Sequence, residues 1–288
     1  AYMKRTLSPV EVLESYLDRI TTLNPKVNAF YLLMDEEALL SAKKSEERWL
    51  KASPLGLLDG IPTAIKDGLF MSGIPIYRGS LANNAKSNIP TTNAPVVDRM
   101  IGSGAIILGK TTMCDYGMLA SGYSSKFGPT RNPWKLDFNS GGSSSGSAAA
   151  VAAGMCPVAV GTDIVGSIRN PASFCGLYGH KPSFGRVPFY PQTSPAVCAG
   201  PISRSVEDMA LLLNVISGPD SRDPSALPYH EIDYMEAIKG NVAGLKIGFM
   251  QDIGFGPAPD DEVLKLCCEA IKSFKKMGNQ ITEIKAPF

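Results

Sequence analysis

The sequence predicts an α/β fold, a mixed β-sheet core covered by helices. Short apolar runs alternate with segments of helical periodicity along the chain, and Gly, Pro and Asn mark the junctions between them. The 288 residues are 44% hydrophobic and 19% charged, enough to bury a sizeable core. We read them as one domain, 1–288. Residues 1–55 form an N-terminal helical part, 56–220 a core carrying the candidate chemistry, and 221–288 the start of the C-terminal part of the sheet.

Ser8 suits a helix cap, Pro9 the first helical position, and Glu11 completes a capping box. Leu13, Tyr16, Leu17 and Ile20 then recur at helical spacing, with a stop expected at Asn24-Pro25. A second helix is predicted over 35–50, a loop over 53–60 and a short strand over 61–67. Pro62 makes that strand an edge or places it at a strand beginning. Residues 95–102 read as helix, 105–109 as a buried strand, and 157–160 as another strand after an alanine-rich helix. Further helices are expected at 168–174, 205–216 and 261–277, with strands at 245–249 and 280–284.

The 28 Lys and Arg nearly balance 27 Asp and Glu, so the net charge of +1 provides no field for collecting nucleic acid or anionic lipid. A small, weakly charged or neutral substrate fits better. Cysteines 114, 156, 175, 198, 267 and 268 form no C-x-x-C pair and show no zinc spacing, and they read as reduced thiols of a cytoplasmic protein. The first residues begin an amphipathic segment rather than a signal peptide, and no apolar run approaches a membrane span. Neither a cofactor nor a metal is expected.

The chemistry narrows by exclusion. Only two histidines exist, His180 and His230, and the second sits in a proline-rich loop. A Ser-His-Asp triad would rest on His180, which has no G-x-S-x-G elbow beside it and reads better as structural. The run from Gly141 to Ser147 spaces its glycines like a phosphate-binding loop, yet Ser147 stands where that motif needs lysine. A lysine-dependent serine mechanism remains. A neutral buried lysine can take the proton of a serine hydroxyl, and Lys66 alone follows a strand-like apolar run and precedes Asp67-Gly68. The glycine turn at 163–167 can aim backbone N–H groups at an oxyanion. Asp163 and Arg169 flank it and are expected to pair. Met113, Cys114, Tyr116, Met118, Tyr123 and Phe127 form an apolar cluster that reads as pocket lining or as core.

These residues closely resemble the amidase signature family. The matching pieces include Gly60-Ile61-Pro62 through Lys66-Asp67, Gly141-Gly142-Ser143-Ser144, Gly161-Thr162-Asp163, Gly166-Ser167-Ile168-Arg169 and Cys175-Gly176 through Lys181-Pro182, and with flanking segments they cover nearly the whole chain. The resemblance implies a Ser-Ser-Lys triad acting through an acyl-enzyme. Ser167 would be the nucleophile, Ser143 the bridging serine on a cis peptide bond, and Lys66 the terminal base. It also implies an oxyanion hole from the N–H groups of Ile164, Val165, Gly166 and Ser167; Met113 and Cys114, from the apolar cluster, are read as candidate substrate-binding residues. Two departures stand out. Val165-Gly166 replaces the family's Gly-Gly, and Ser145 replaces the first glycine of Ser-Ser-Gly-Gly. A β-branched Val165 disfavours positive φ and is expected to narrow the oxyanion turn, with reduced activity or an altered substrate shape as the consequence.

Family members are usually longer, so the sheet is expected to be incomplete at the C-terminal side, where the chain ends at Ala286-Pro287-Phe288 after a strand read as mid-sheet. A bare edge there would favour a homodimer. The leading function is hydrolysis of a small acyl or aryl amide, with esters as side substrates. One alternative is the glutaminase component of a tRNA-dependent amidotransferase, although residues 112–117 lack the Glu-Phe-Ala typical of such proteins. The other alternative is a weak or inactive scaffold.

Overall fold

Ser8 Oγ accepts the Glu11 N–H at 3.2 Å and the Glu11 carboxylate accepts the Ser8 N–H at 2.8 Å, which closes the capping box that starts α1 (Pro9–Val27). The computed structural model describes residues 1–84, 88–192, 194, 196–229 and 231–285; His230 and 286–288 lie outside the described residues. The expected stop at Pro25 is displaced. Pro25 occupies the last turn, where its missing N–H removes a single bond, and the helix ends at Asn28 with φ 57°. Asn24 Oδ1 then accepts the N–H groups of Ala29 and Phe30 at 2.9 and 2.8 Å, turning the chain into β1 (Phe30–Leu33), a strand the periodicity does not reveal.

Next come α2 (Asp35–Leu50), β2 (Pro62–Lys66), α3 (Pro95–Gly102) and β3 (Ile106–Thr111). Two short ladders follow, β4 (Tyr123–Ser124) with β5 (Gly128–Pro129) and β6 (Arg131–Asn132) with β7 (Lys135–Asn139). The chain continues through α4 (Ser145–Ala152), β8 (Val158–Asp163), α5 (Arg169–Phe174), β9 (Tyr178–Gly179), β10 (Cys198–Ser203), α6 (Val206–Ile216) and α7 (Tyr234–Ala237). A six-stranded sheet has the order β1-β3-β2-β8-β10-β9. Its centre, β3-β2-β8, is parallel and the outer pairings are antiparallel, so the sheet is mixed as expected. Pro62 opens a central strand, where the first position spares the ladder.

Alternating side chains feed two apolar layers. Ala64, Ile106, Leu108, Ala159 and Ile202 pack with Leu13 and Ile20 of α1 and Ala148–Val151 of α4. On the other face Ile65, Ile107, Val158, Val160 and Ala199 meet Val97 and Met100 of α3 and Leu212, Leu213 and Ile216 of α6. Each large aliphatic side chain so buried contributes roughly 1.5–3 kcal/mol. The alanine-rich α4 lies close to the sheet. A Cβ on Gly146 would run into the Ala29 carbonyl oxygen and come within 2.5 Å of the Thr112 nitrogen.

The chain divides into two compact units, Ala1–Ile238 and Lys239–Phe288. Residues from 221 onward, grouped by sequence with the C-terminal part, are tied into the first unit as far as 238. Arg222 pairs with Asp98 at 2.7 Å, Asp223 accepts the Phe189 N–H at 2.9 Å, and Asp233 accepts from Asn214 at 2.7 Å. The second unit is a βαβ element. In it β11 (Lys246–Phe249) and β12 (Gln280–Glu283) pair in parallel across α8 (Asp261–Lys276), as a two-stranded sheet of their own rather than as further strands of the main sheet. Among the described residues no helix is long and apolar enough to cross a membrane.

Candidate active site

The parallel strands β2 and β8 end side by side, and the carboxyl ends of such strands are where α/β folds open a crevice. Lys66 is the last residue of β2 and Thr162 is next to last in β8. Lys66 is fully buried, and its Nζ donates to Ser143 Oγ at 2.7 Å, Thr162 Oγ1 at 2.8 Å and the Thr162 carbonyl at 3.4 Å. Burial pushes the amine down to about 7, against the opposing pull of Cys114, Asp163 and Asp67. A lysine with that pKa is substantially neutral at physiological pH and able to accept a proton.

Ser143 sits in the turn that leads into α4, after a cis Gly142–Ser143 peptide and a left-handed Gly141 at φ 73°. Gly142 N–H donates to Asn170 Oδ1 at 3.0 Å and Gly141 N–H to Asn139 Oδ1 at 2.8 Å. Ser144 ties this turn to the second one. Its N–H reaches the Ser167 carbonyl at 3.1 Å, and its hydroxyl exchanges hydrogen bonds of 3.2 Å with the Thr162 backbone. Ser145 donates to the Thr112 carbonyl at 3.4 Å, and Ser147 bonds Thr111 at 2.8 Å and the Val160 carbonyl at 3.2 Å. The serines that imitate a phosphate loop in the sequence therefore hold α4 to the sheet.

Asp163 organises the turn before α5. It makes the expected pair with Arg169, at 3.0 Å to both Nε and Nη2, and also accepts the N–H groups of Gly166 at 2.7 Å, Ile168 at 3.0 Å and Arg169 at 3.4 Å. Burial would raise this carboxyl, but those hydrogen bonds outweigh it and hold the group at about 2. The Gly166 N–H is thus already occupied, while among the described residues the N–H groups of Ile164, Val165 and Ser167 have no partner. The positive φ falls on Gly166, at 119°, and Val165 is not among the described non-glycine residues in that region. Val165 is 92% exposed, so its branched side chain is accommodated without strain. Ser167 lines the same pocket as Ser143, and no hydrogen bond joins the two hydroxyls among the described residues.

The pocket has a volume of about 520 Å³, and its wall includes Ser143, Ser167, Met113, Tyr116, Met118 and Phe189. Cys114 lies behind that wall. Its Sγ donates to the Leu119 carbonyl at 3.0 Å and accepts the Leu119 N–H at 3.3 Å, shaping the loop over 115–119 instead of lining the cavity. Tyr123 and Phe127 are also outside the lining, Phe127 being stacked on Tyr31 at 4.4 Å. His180 is away from the pocket, half-buried, with its imidazole lowered by burial. Cys156 and Cys175 are buried, and burial pushes both thiols up to about 12.

Three contributors escape sequence reasoning. Thr162 supplies two of the acceptors around Lys66 Nζ, and its position inside Gly161-Thr162-Asp163 is the available signal. Asn170 fixes the Ser143 turn from one helical turn beyond Gly166. Gly117 lies against Ser143, where an added Cβ would stand 3.3 Å from Oγ.

Known proteins are similar to this chain in sequence and fold. The family model described as Amidase matches residues 11–287, and the chain belongs to that family. It is similar to an acylamidase of Rhodococcus erythropolis, with 40% identity over 283 residues, 96% of this chain and 58% of that protein. It is equally similar to a glutamyl-tRNA(Gln) amidotransferase subunit of Gloeobacter violaceus, with 40% identity over 284 residues, 97% of this chain and 57% of that protein. The structure of a bacterial aryl acylamidase of the amidase signature family superposes with a TM-score of 0.93 at 37% identity, covering 99% of this chain and 60% of that one. The chain therefore spans about 58% of the length of the curated relatives it matches.

Proposed function

We propose that the protein hydrolyses a small acyl or aryl amide through a serine acyl-enzyme. The observation that carries this reading is the fully buried Lys66 amine, lowered to about 7, at 2.7 Å from Ser143 Oγ in the wall of a pocket that also contains Ser167. Neutral Lys66 takes the Ser143 proton as Ser143 takes that of Ser167, and Ser167 Oγ forms a bond to the amide carbon. In this reading the Ser143 and Ser167 hydroxyls come into hydrogen-bond contact when substrate is bound, since such contacts often tighten only in the Michaelis complex. The oxyanion is held by the free N–H groups of Ile164, Val165 and Ser167. The proton returns through Ser143 to the leaving nitrogen, the C–N bond breaks, and ammonia or an amine departs. Water then attacks the ester, the carbon–Oγ bond breaks, and Ser167 regains its proton.

Acylamidase and aryl acylamidase relatives support an amide substrate, and the apolar side chains of Phe70, Met113, Met118, Leu119 and Phe189 in the pocket wall favour an acyl or aryl group over free glutamine. Treatment with a small sulfonyl fluoride, followed by peptide mapping, tests the mechanism. One adduct at Ser167, absent from Ser167→Ala, together with turnover of simple anilides without any partner protein, is the expected result. Turnover of glutamine alone would move the assignment to the amidotransferase component.

A further inference from the structure

A second cavity, of about 390 Å³, adjoins the serine pocket and shares three wall residues with it, Phe70, Arg78 and Tyr116. Arg78 is the only Asp, Glu, Lys, Arg or His side chain among the described residues lining either space. Its half-buried guanidinium makes no hydrogen bond or ion pair among the described residues, and charges withdrawn from water are favoured when paired. The backbone at this point is held firmly. Asp67 accepts the N–H groups on both sides of Arg78, from Tyr77 at 3.0 Å and Gly79 at 2.8 Å, and the Arg78 carbonyl accepts the Tyr116 N–H at 2.8 Å. Arg78 and Gly79 are both left-handed, at φ 47° and 68°, and a Cβ on Gly79 would collide with the Met113 carbonyl. A non-glycine residue in that region is uncommon and persists where its surroundings over-determine it. Here the surroundings fix an arginine with no partner among the described residues between the serine pocket and a second chamber whose other described polar side chains, Asn83, Asn88 and Tyr116, carry no carboxylate, the two asparagines being bonded to each other at 3.2 Å.

We infer that Arg78 forms a carboxylate-binding subsite, so that the preferred substrate is an amide carrying a carboxylate group a few atoms from the scissile bond. This rests on the amidase reading above. A guanidinium presents two parallel N–H donors that match a carboxylate, and in a partly dehydrated cavity with no competing acid among its described lining residues such a pair is worth more than at an open surface.

The test uses two matched pairs, succinanilate against butyranilide for a carboxylate on the acyl side, and 4-acetamidobenzoate against 4-methylacetanilide for one on the amine side. Binding is measured by calorimetry to Ser167→Ala, which removes turnover from the readout. In at least one pair the carboxylated member is expected to bind about tenfold or more tightly, with the advantage shrinking as salt rises. Adding Arg78→Met should remove that advantage, and Arg78→Lys should restore part of it; thermal melts of each variant show that it is folded. Equal affinity within both pairs, or a preference that survives Arg78→Met, overturns the subsite even if the wild-type protein turns anilides over. A preference that depends on Arg78 in a protein without amide turnover or a Ser167 adduct leaves the subsite standing and overturns the hydrolase reading instead.

Discussion

Lys66 combines the two conditions a lysine base needs, exclusion from water and a hydroxyl in contact. With its pKa lowered by burial to about 7, the reactive neutral form grows as pH rises, so kcat/KM should climb from acid, pass half its maximum near pH 7 and level off in mild alkali. A rate that peaks at low pH would remove lysine from the role. Lys66→Ala should lower kcat by roughly 10²–10⁴-fold, the usual contribution of a positioned base. Gly117 offers a subtler check. A methyl group there meets Ser143 Oγ at 3.3 Å on a backbone already at φ 74°, so Gly117→Ala should reduce kcat by roughly tenfold while changing KM less. Equal effects on kcat and KM would mean that Gly117 shapes the pocket rather than Ser143. In the sequence Lys66 is singled out by the apolar run before it and Asp67-Gly68 after it, Ser143 and Ser167 by the glycine-rich turns around them, and the candidate roles of all three come from the family resemblance. Thr162 and Asn170 cannot, because one contributes through an end-of-strand hydroxyl and carbonyl and the other through an amide, and neither residue type is scarce.

At the scale of the element, caps and turns decide where structure starts and stops. Ser8→Ala removes one half of the capping box of α1 and should cost about 1 kcal/mol, read as a lower denaturation midpoint at unchanged m-value. Asp163 does for the turn before α5 what Ser8 does for α1, but with five acceptor contacts. Its folded pKa of about 2 lies below the ordinary carboxylate value. The stability it contributes is therefore present above about pH 4 and is lost as pH falls through 2. Asp163→Asn should flatten that acid limb of the stability profile; an unchanged acid limb would mean that other carboxylates govern it. Helices α2 and α3 can be read to the residue because their boundaries and apolar spacing agree. The end of α1 cannot, since a proline in a last turn costs too little to stop a helix that Asn28 closes. Strand β1 has only four residues, too few for a period to show, and it is defined by its pairing with β3.

Across the whole molecule, burial is distributed unevenly, and that unevenness has a measurable consequence. Every residue of β2, β3 and β10 is buried, between two apolar layers, and the candidate serine-lysine site is built on the ends of β2 and β8. In the second unit β11 and β12 are largely exposed and α8 contains no buried residue, although its own periodicity and Asp260 cap are well formed. The sequence signals for the two regions are equally strong, and for that reason the C-terminal strands are expected from sequence to extend the main sheet; local pattern specifies an element but not which sheet it joins. Opening a segment costs free energy in proportion to the apolar contact it gives up. Amide hydrogen exchange should therefore be slowest in β2, β3 and β8 and faster by at least roughly 100-fold in β11, α8 and β12. Exchange in the second unit as slow as in the central strands would show that its exposed apolar side chains, Val263, Leu266 and Phe274 among them, are covered in solution, as pairing with a second copy of the chain would do. In that case protection should fall as the protein is diluted, because an intermolecular cover depends on concentration and an intramolecular one does not.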